Sequence, residues 1–369
     1  MDYQRLFRPG ILGVRPYAPG KPVEEVQREL GLDDVIKLAS NENPEGPLPE
    51  VVAAVQQAAL DLNRYPDGAA YRLTRALAEF HGVDPGAILL GNGSNEVLDM
   101  LVRALLSPGE NFVYSQHSFI VYGLAGSIHF ETGRAVPMQE GWRHDLPAMA
   151  DAVDDQTKLV IVCNPNNPTG TYVTDDELGA FLERVPGHVI VAVDEAYYEY
   201  VTADDYPQTL TLRQRYPNLV SLRTFSKIHS LAGLRVGYGI GHPDLVAELQ
   251  KTREPFNVNT PAQAGAMACL AHWDAVAGRV ERNRQQLEWM AGELASLGLT
   301  VVPSQTNFLF CTMAGRSGGD LAQALLREGV IVRPMDAFGL ADGEGAVRIS
   351  IGLPEENRRC IDALRGILG

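Results

Sequence analysis

The stretch that decides the fold is LVIVCNPNNPTGTYVTDDELGAFLERVPGHVIVAV, residues 159–193. It opens and closes on short apolar runs rich in valine, with a helical pattern over 175–184 between them. An apolar run without polar alternation reads as a strand covered on both faces, and a strand–helix–strand unit makes its two strands parallel. The stretch is therefore an interior piece of an α/β sheet.

The same rhythm extends outward. Strands are expected over 88–90, 111–115, 159–163, 189–193, 219–223 and 236–240, with helices over 95–106, 119–127 and 175–184. Short β-rich runs alternating with helices argue for a largely parallel sheet between helices. Ligands of such sheets sit at the carboxyl ends of the strands, where the polar motifs fall. Upstream, 1–22 is rich in Pro and Gly and is expected to run irregularly over a surface. Helices follow over 23–30, 48–62 and 71–81, with a strand over 35–39 leading into the polar, Pro-rich loop 40–47. Downstream, a helical stretch from 263 to about 297 breaks near Trp273. Strands over 299–302, 307–311, 330–333 and 346–350 then alternate with helices over 320–328 and 355–368 as a smaller α+β unit. The expected division is an N-terminal arm with part of the small domain (1–44), a large domain (45–260) and a small C-terminal domain (261–369).

With 369 residues the chain is long for a single core. Its net charge is 31 − 46 = −15, without a long basic run, which argues against nucleic acid or an anionic membrane as partner. Cys163, Cys269, Cys311 and Cys360 show neither zinc nor disulfide spacing and read as buried thiols, so no metal is expected. The N-terminus lacks the apolar core of a signal peptide and no run reaches membrane-spanning length, so a cytoplasmic location is expected.

Four motifs lie at strand ends. Gly91-Asn92-Gly93-Ser94, between strand and helix, suits a phosphate held by backbone N–H groups, although an ordinary βα turn has the same form. Asn164-Pro165-Asn166-Asn167-Pro168-Thr169-Gly170 holds amide side chains on a backbone stiffened by two prolines. Asp194 ends an apolar strand, where a carboxylate needs a cationic partner or serves as an N-cap, and Tyr197 follows three residues on. Lys227 lies between Ser226 and Arg235, with no acidic residue from Arg223 to Gly239. Apolar, cation-rich surroundings lower a lysine's pKa and free its amine for imine chemistry. A reactive lysine, a carboxylate for a ring nitrogen, donors for a phenolate and a phosphate cradle together are what pyridoxal phosphate requires.

In these motifs the chain resembles fold-type I pyridoxal-phosphate aminotransferases, and among them the histidinol-phosphate aminotransferase family. The resemblance runs from Arg15-Pro16-Tyr17 and Lys37–Pro44 through Arg64-Tyr65-Pro66-Asp67-Gly68, NPNNPTGTY at 164–172, VDEAYYEY at 193–200 and FSK…LAGLRVGY at 225–238 to Arg348–Gly352. It implies transfer of an amino group from L-histidinol phosphate to 2-oxoglutarate, with Lys227, Asp194 and Tyr197 catalytic. Lys227 would carry the cofactor and shuttle the proton, Asp194 would pair with the pyridinium nitrogen, and Asn167 and Tyr197 would bond the ring hydroxyl. Gly93, Ser94, Asn95, Ser226 and Arg235 would hold the phosphate and Phe119 would stack on the ring, where many relatives carry Tyr. The resemblance further implies a homodimer with composite sites, Tyr65 reaching the neighbouring cofactor's phosphate. Arg348 would grip the α-carboxylate, with Tyr17, Asn43 and Arg333 at the substrate's side-chain end. Histidinol phosphate has no α-carboxylate, so Arg348 would serve glutamate's carboxylate and the substrate phosphate in turn.

The chain departs from the family in two places. His229-Ser230 stands where relatives often have Tyr-Gly or Phe-Gly, and a packed, neutral His229 is expected. Phe256 stands where some relatives place a Tyr contributed across the dimer. An aromatic or broad-range aminotransferase, a phosphothreonine decarboxylase on the same fold and a non-catalytic cofactor-binding protein are the alternatives. Intact Lys227, Asp194 and Arg348 argue against the last.

Overall fold

In the computed structural model, which describes residues 3–7, 9–14, 16, 20–129, 133–335 and 344–369, a seven-stranded sheet forms the centre. Its spatial order is Ile88–Gly91, Gly237–Ile240, Leu219–Thr224, Ile190–Asp194, Thr157–Cys163, Asn111–Ser115 and Gly133–Val136. All neighbours pair in parallel except Gly237–Ile240, which runs antiparallel to both strands beside it. The decisive stretch forms the expected unit, with helix Asp175–Arg184 between its two strands. Both faces of the sheet are covered, which is why its inner strands carry apolar residues at consecutive positions. Gly133–Val136, not anticipated from the sequence, is an edge strand whose first three residues are exposed, so it lacks the apolar run that marks the others.

Helices Pro49–Ala58, Tyr71–His81 and Thr260–Ala271 pack together and share a core with Ile88, Leu90 and Tyr238. The break near Trp273 is present, since the next helix is Trp273–Ser296. A second, antiparallel sheet orders Arg333–Pro334, Glu344–Ser350, Phe308–Ala314 and Thr300–Val301, and shares a separate core with Trp273–Ser296, Gly318–Arg327 and Pro354–Leu368. Ile36–Lys37 pairs in parallel with Val330–Ile331, so the chain touches this C-terminal unit before it crosses towards the large sheet. The N-terminal run is less irregular than expected: Tyr3–Leu6 makes a 3-10 turn, and Pro9–Gly13 a short helix against Val121–His129. Among the described residues no helix is long and apolar enough to cross a membrane.

Candidate active site

Parallel pairing lines up the ends of three strands. Cys163 lies opposite Asp194 and Asp194 opposite Leu222, so the residues that follow each strand emerge along one edge. Asp194 is buried at the end of Ile190–Asp194. Its Oδ2 accepts from the Tyr122 hydroxyl at 2.7 Å and its Oδ1 from Ala196 N at 3.2 Å. Burial pushes its pKa up, while these two bonds and the nearby Lys227 charge favour the ionised form. The loop after Thr157–Cys163 is cross-linked by its own amides. Asn164 exchanges bonds with the Val173 backbone, and Asn166 accepts from Ser118 Oγ and donates to Thr169 Oγ1 and His117 O. Asn167 is thereby left facing the cavity, where its Oδ1 accepts from Arg348 Nη1 at 2.5 Å. Such rigidity suits a residue that must present a donor at a fixed place.

Lys227 stands three residues beyond the end of Leu219–Thr224. Thr224 Oγ1 accepts from Ser226 N at 3.1 Å and Arg235 Nη1 donates to Ser226 Oγ at 3.3 Å, which draws lysine, serine and arginine into one turn. Burial first, and then the charges of Arg348 and Arg235, push Lys227 down to about 8 against the opposing pull of Glu42 and Asp194. Opposite lies the N-terminus of helix Ser94–Leu105, whose first N–H groups have no side-chain cap. Gly93 has φ +83, and a Cβ there would lie 2.5 Å from Arg235 Nη2. Gly237 is equally constrained, since a Cβ would lie 2.3 Å from Ser94 N. Glycine at both positions brings an uncapped helix end beside a guanidinium, an anion site of the expected kind.

The two groups border one cavity of about 190 Å³. It gathers Ser94, Asn95, Phe119, Asn167, Asp194, Tyr197, Ser226, Lys227, Arg235, Arg333 and Arg348, all singled out from the sequence. Gly93 sits behind Arg235. Tyr197 is buried, and its hydroxyl accepts from Asn41 Nδ2 at 2.9 Å, which leaves its own O–H to donate. Arg333 and Arg348 are directly opposed across two antiparallel strands, an arrangement of like charges that an anion between them would relieve.

Other expected residues lie elsewhere. Asn43 does not line the cavity: its amide donates to Ile228 O at 2.8 Å and it borders a second cleft. Tyr65 is 82% exposed and stacks on Phe256, ring centroids 4.7 Å apart, away from the cavity of its own chain. Tyr17 lies outside the described residues. His229 is packed between Phe225 and Trp273, and burial, with the Arg279 charge, pushes it down to about 3, so it is neutral. Sequence reasoning missed Tyr122, Asn41, Thr224 and Cys163. Tyr122 lies three residues after Phe119, at the start of helix Val121–His129, and that spacing was the only signal available.

Residues 33–364 match the family described as aminotransferase class I and II, and the chain belongs to that family. Within it, the chain is 46% identical over 364 residues to the histidinol-phosphate aminotransferase of Anaeromyxobacter sp. (strain Fw109-5), covering 99% of each. It is 48% identical over 358 residues to that of Geobacillus thermodenitrificans (strain NG80-2), covering 97% of each. In three dimensions it is similar to the crystal structure of histidinol-phosphate aminotransferase from Sinorhizobium meliloti in complex with pyridoxal-5'-phosphate. That match has a TM-score of 0.88 and 28% identity, covering 98% of both chains.

Proposed function

We propose that this chain transfers the amino group of L-histidinol phosphate to 2-oxoglutarate, giving imidazole acetol phosphate and L-glutamate in histidine biosynthesis, with pyridoxal 5'-phosphate as cofactor. The observation that carries the reading is one cavity in which Lys227, with its lowered pKa, faces buried Asp194 between an anion cradle and two opposed arginines. The donor set fits the cofactor. Asp194 is buried with no ion-pair partner among the described residues, which suits a pyridinium N–H, and the close Gly93–Arg235 approach, which a Cβ would block, sets the guanidinium beside the uncapped helix end, which suits a phosphate.

When bound, the cofactor supplies an electron sink for the negative charge that develops at the substrate's α-carbon. The chain's residues do the rest. Asp194 holds the ring cationic, Tyr197 O–H and Asn167 Nδ2 donate to its phenolate oxygen, and Phe119 covers the ring. Ser94, Asn95, Ser226 and Arg235 hold its phosphate. A lysine pushed down to about 8 has an appreciable neutral fraction near pH 7, so Lys227 Nζ takes the proton from the donor's α-carbon and returns it later. Arg348 binds glutamate's carboxylate in one half-reaction and the phosphate of histidinol phosphate in the other, with Arg333 beside it.

Residues 1–44 act as arm and part of the small domain, 45–260 as the large domain and 261–369 as the small domain. The exposed Tyr65–Phe256 stack supports a homodimer in which Tyr65 reaches the partner's cofactor phosphate. The enzyme works in the cytoplasm on small molecules. Single-turnover spectra test the reading: histidinol phosphate and glutamate should each convert the bound cofactor to its amine form, phenylalanine and tyrosine far more slowly. Faster conversion by the aromatic amino acids would overturn the substrate assignment and leave the chemistry.

A further inference from the structure

Ser230 is the residue that the active-site reading leaves without a task, and its geometry is unusual. Its φ is +60, a left-handed conformation that side-chain-bearing residues rarely adopt. Two hydrogen bonds hold it there. Its Oγ donates to Glu45 O at 2.7 Å and accepts from Arg279 Nη1 at 2.6 Å. Arg279 is 4% exposed on helix Trp273–Ser296. The same Nη1 donates to Ile228 O at 2.8 Å, and Nη2 donates to Gly46 O at 2.7 Å. Asn43 Nδ2 adds a second donor to Ile228 O.

The carbonyl just after Lys227 and the side chain three residues beyond it are thus tied to one guanidinium. That guanidinium is tied in turn to segment 43–46, which continues from Ser40 and Asn41 at the cavity. We propose that Ser230 and Arg279 form a clasp that positions Lys227 in the cavity, a positioning role carried by two residues that touch neither cofactor nor substrate. The proposal rests on the reading that Lys227 is the cofactor-bearing, proton-moving lysine. A planar fork holds its donors at fixed positions towards Ser230 Oγ, Ile228 O and Gly46 O, a spread that the point-like ammonium of lysine on its flexible stem does not reproduce, so shape and not charge alone makes the clasp.

Ser230→Gly separates positioning from folding, because glycine relieves the left-handed backbone while deleting the hydroxyl. A merely structural serine predicts full activity, with any change confined to the melting temperature. The clasp predicts an unchanged or raised melting temperature with kcat lowered about tenfold to a hundredfold and KM within about twofold. Arg279→Lys, which keeps the charge, should lower kcat as much. A second readout needs no turnover: competitive acetic anhydride labelling of Lys227 in the cofactor-free protein, followed across pH by peptide mass spectrometry. A Lys227 released from the clasp reaches water, and its labelling midpoint should rise by about half a pH unit or more. Wild-type kcat and labelling midpoint in Ser230→Gly, or full kcat in Arg279→Lys, would overturn the clasp. Borohydride reduction of the wild-type holoenzyme with peptide mapping is the separate control. Cofactor trapped on any residue other than Lys227 would overturn the active-site reading itself, whatever the variants do.

Discussion

The strand ends that carry Asp194 and Asn167 and the loop that carries Lys227 face the same cavity but are held by different means. Asp194 takes its place from sheet register, opposite Cys163 on one side and Leu222 on the other. Lys227 lies beyond the last paired residue of its strand, and the loop around it is held by the side chains of Asn43 and Arg279 and by the Glu45 carbonyl. Register is set by backbone pairing over a whole sheet and resists single substitutions. A loop fixed by a few long-range bonds yields to one. On the proposed reading the floor therefore supplies fixed electrostatics, and the wall supplies the group that would move a proton.

The most severe way to break this comparison is to remove the wall's reactive group. Lys227→Ala should lower single-turnover rates about 10⁴-fold, the upper range for loss of a general acid–base group. Its circular dichroism should match the wild type, because the sheet is untouched, and the cofactor should wash out on dialysis. Retained turnover would mean that another base moves the proton. Asp194→Asn probes the floor: it keeps shape and removes charge. Breaking a buried charge pair costs about 3–5 kcal/mol, so kcat should fall about 10²- to nearly 10⁴-fold, still short of the Lys227→Ala loss, while cofactor spectra show a covalently held chromophore. A loss below about tenfold would show that the ring is not held cationic by this carboxylate.

How much of this was legible in the sequence follows from the same contrast. Asp194 and Asn167 could be read because an apolar run that ends in a carboxylate or a rigid amide loop is a local pattern with a local physical reason. Tyr122 could not: its hydroxyl matters only once the helix Val121–His129 has packed over the strand end. Arg279 was invisible, since nothing local separates it from Arg282 and Arg284, which make exposed ion pairs on the same helix. Gly237–Ile240 was found as a strand but not as an antiparallel one, because an apolar run carries no direction. Family resemblance implies that Asn43 lies at the substrate, while in the fold its amide donates to Ile228 O, beside the wall that holds Lys227, a contact that no local pattern in the sequence announces.

Where floor and wall meet, Gly93 gives a third test. An alanine Cβ would press 2.5 Å from Arg235 Nη2 on a backbone at φ +83. Strain of about 2 kcal/mol, felt mainly where the phosphate binds, should weaken cofactor affinity about thirtyfold. Fluorescence titration of the cofactor-free protein measures it, and unchanged affinity would mean that the phosphate is not held at this helix end.

The smallest effect tests whether the wall's packing is neutral, as it should be if it acts by shape. His229 is enclosed by Phe225 and Trp273, with Glu199 Oε1 4.0 Å from its Nε2, and is pushed down to about 3 from an ordinary 6.5. Between these values the unfolded chain binds the proton and the folded chain does not, so stability is full above about pH 6.5 and is lost as pH falls. From about pH 7.5 to about pH 5.5 this one residue should cost about 1.4 kcal/mol. Glu199, pushed up to about 7 by burial, works in the opposite sense, losing stability as pH rises from 4.5 to about 7. It is present in wild type and variant alike, so its contribution cancels in the difference. His229→Phe should therefore flatten the pH dependence of the urea midpoint over that range by about 1.4 kcal/mol and leave the stability at higher pH close to that of the wild type. An unaltered pH dependence would mean that His229 binds protons in the folded protein as it does in the unfolded chain, and that a titrating group rather than a neutral packed ring stands behind Lys227.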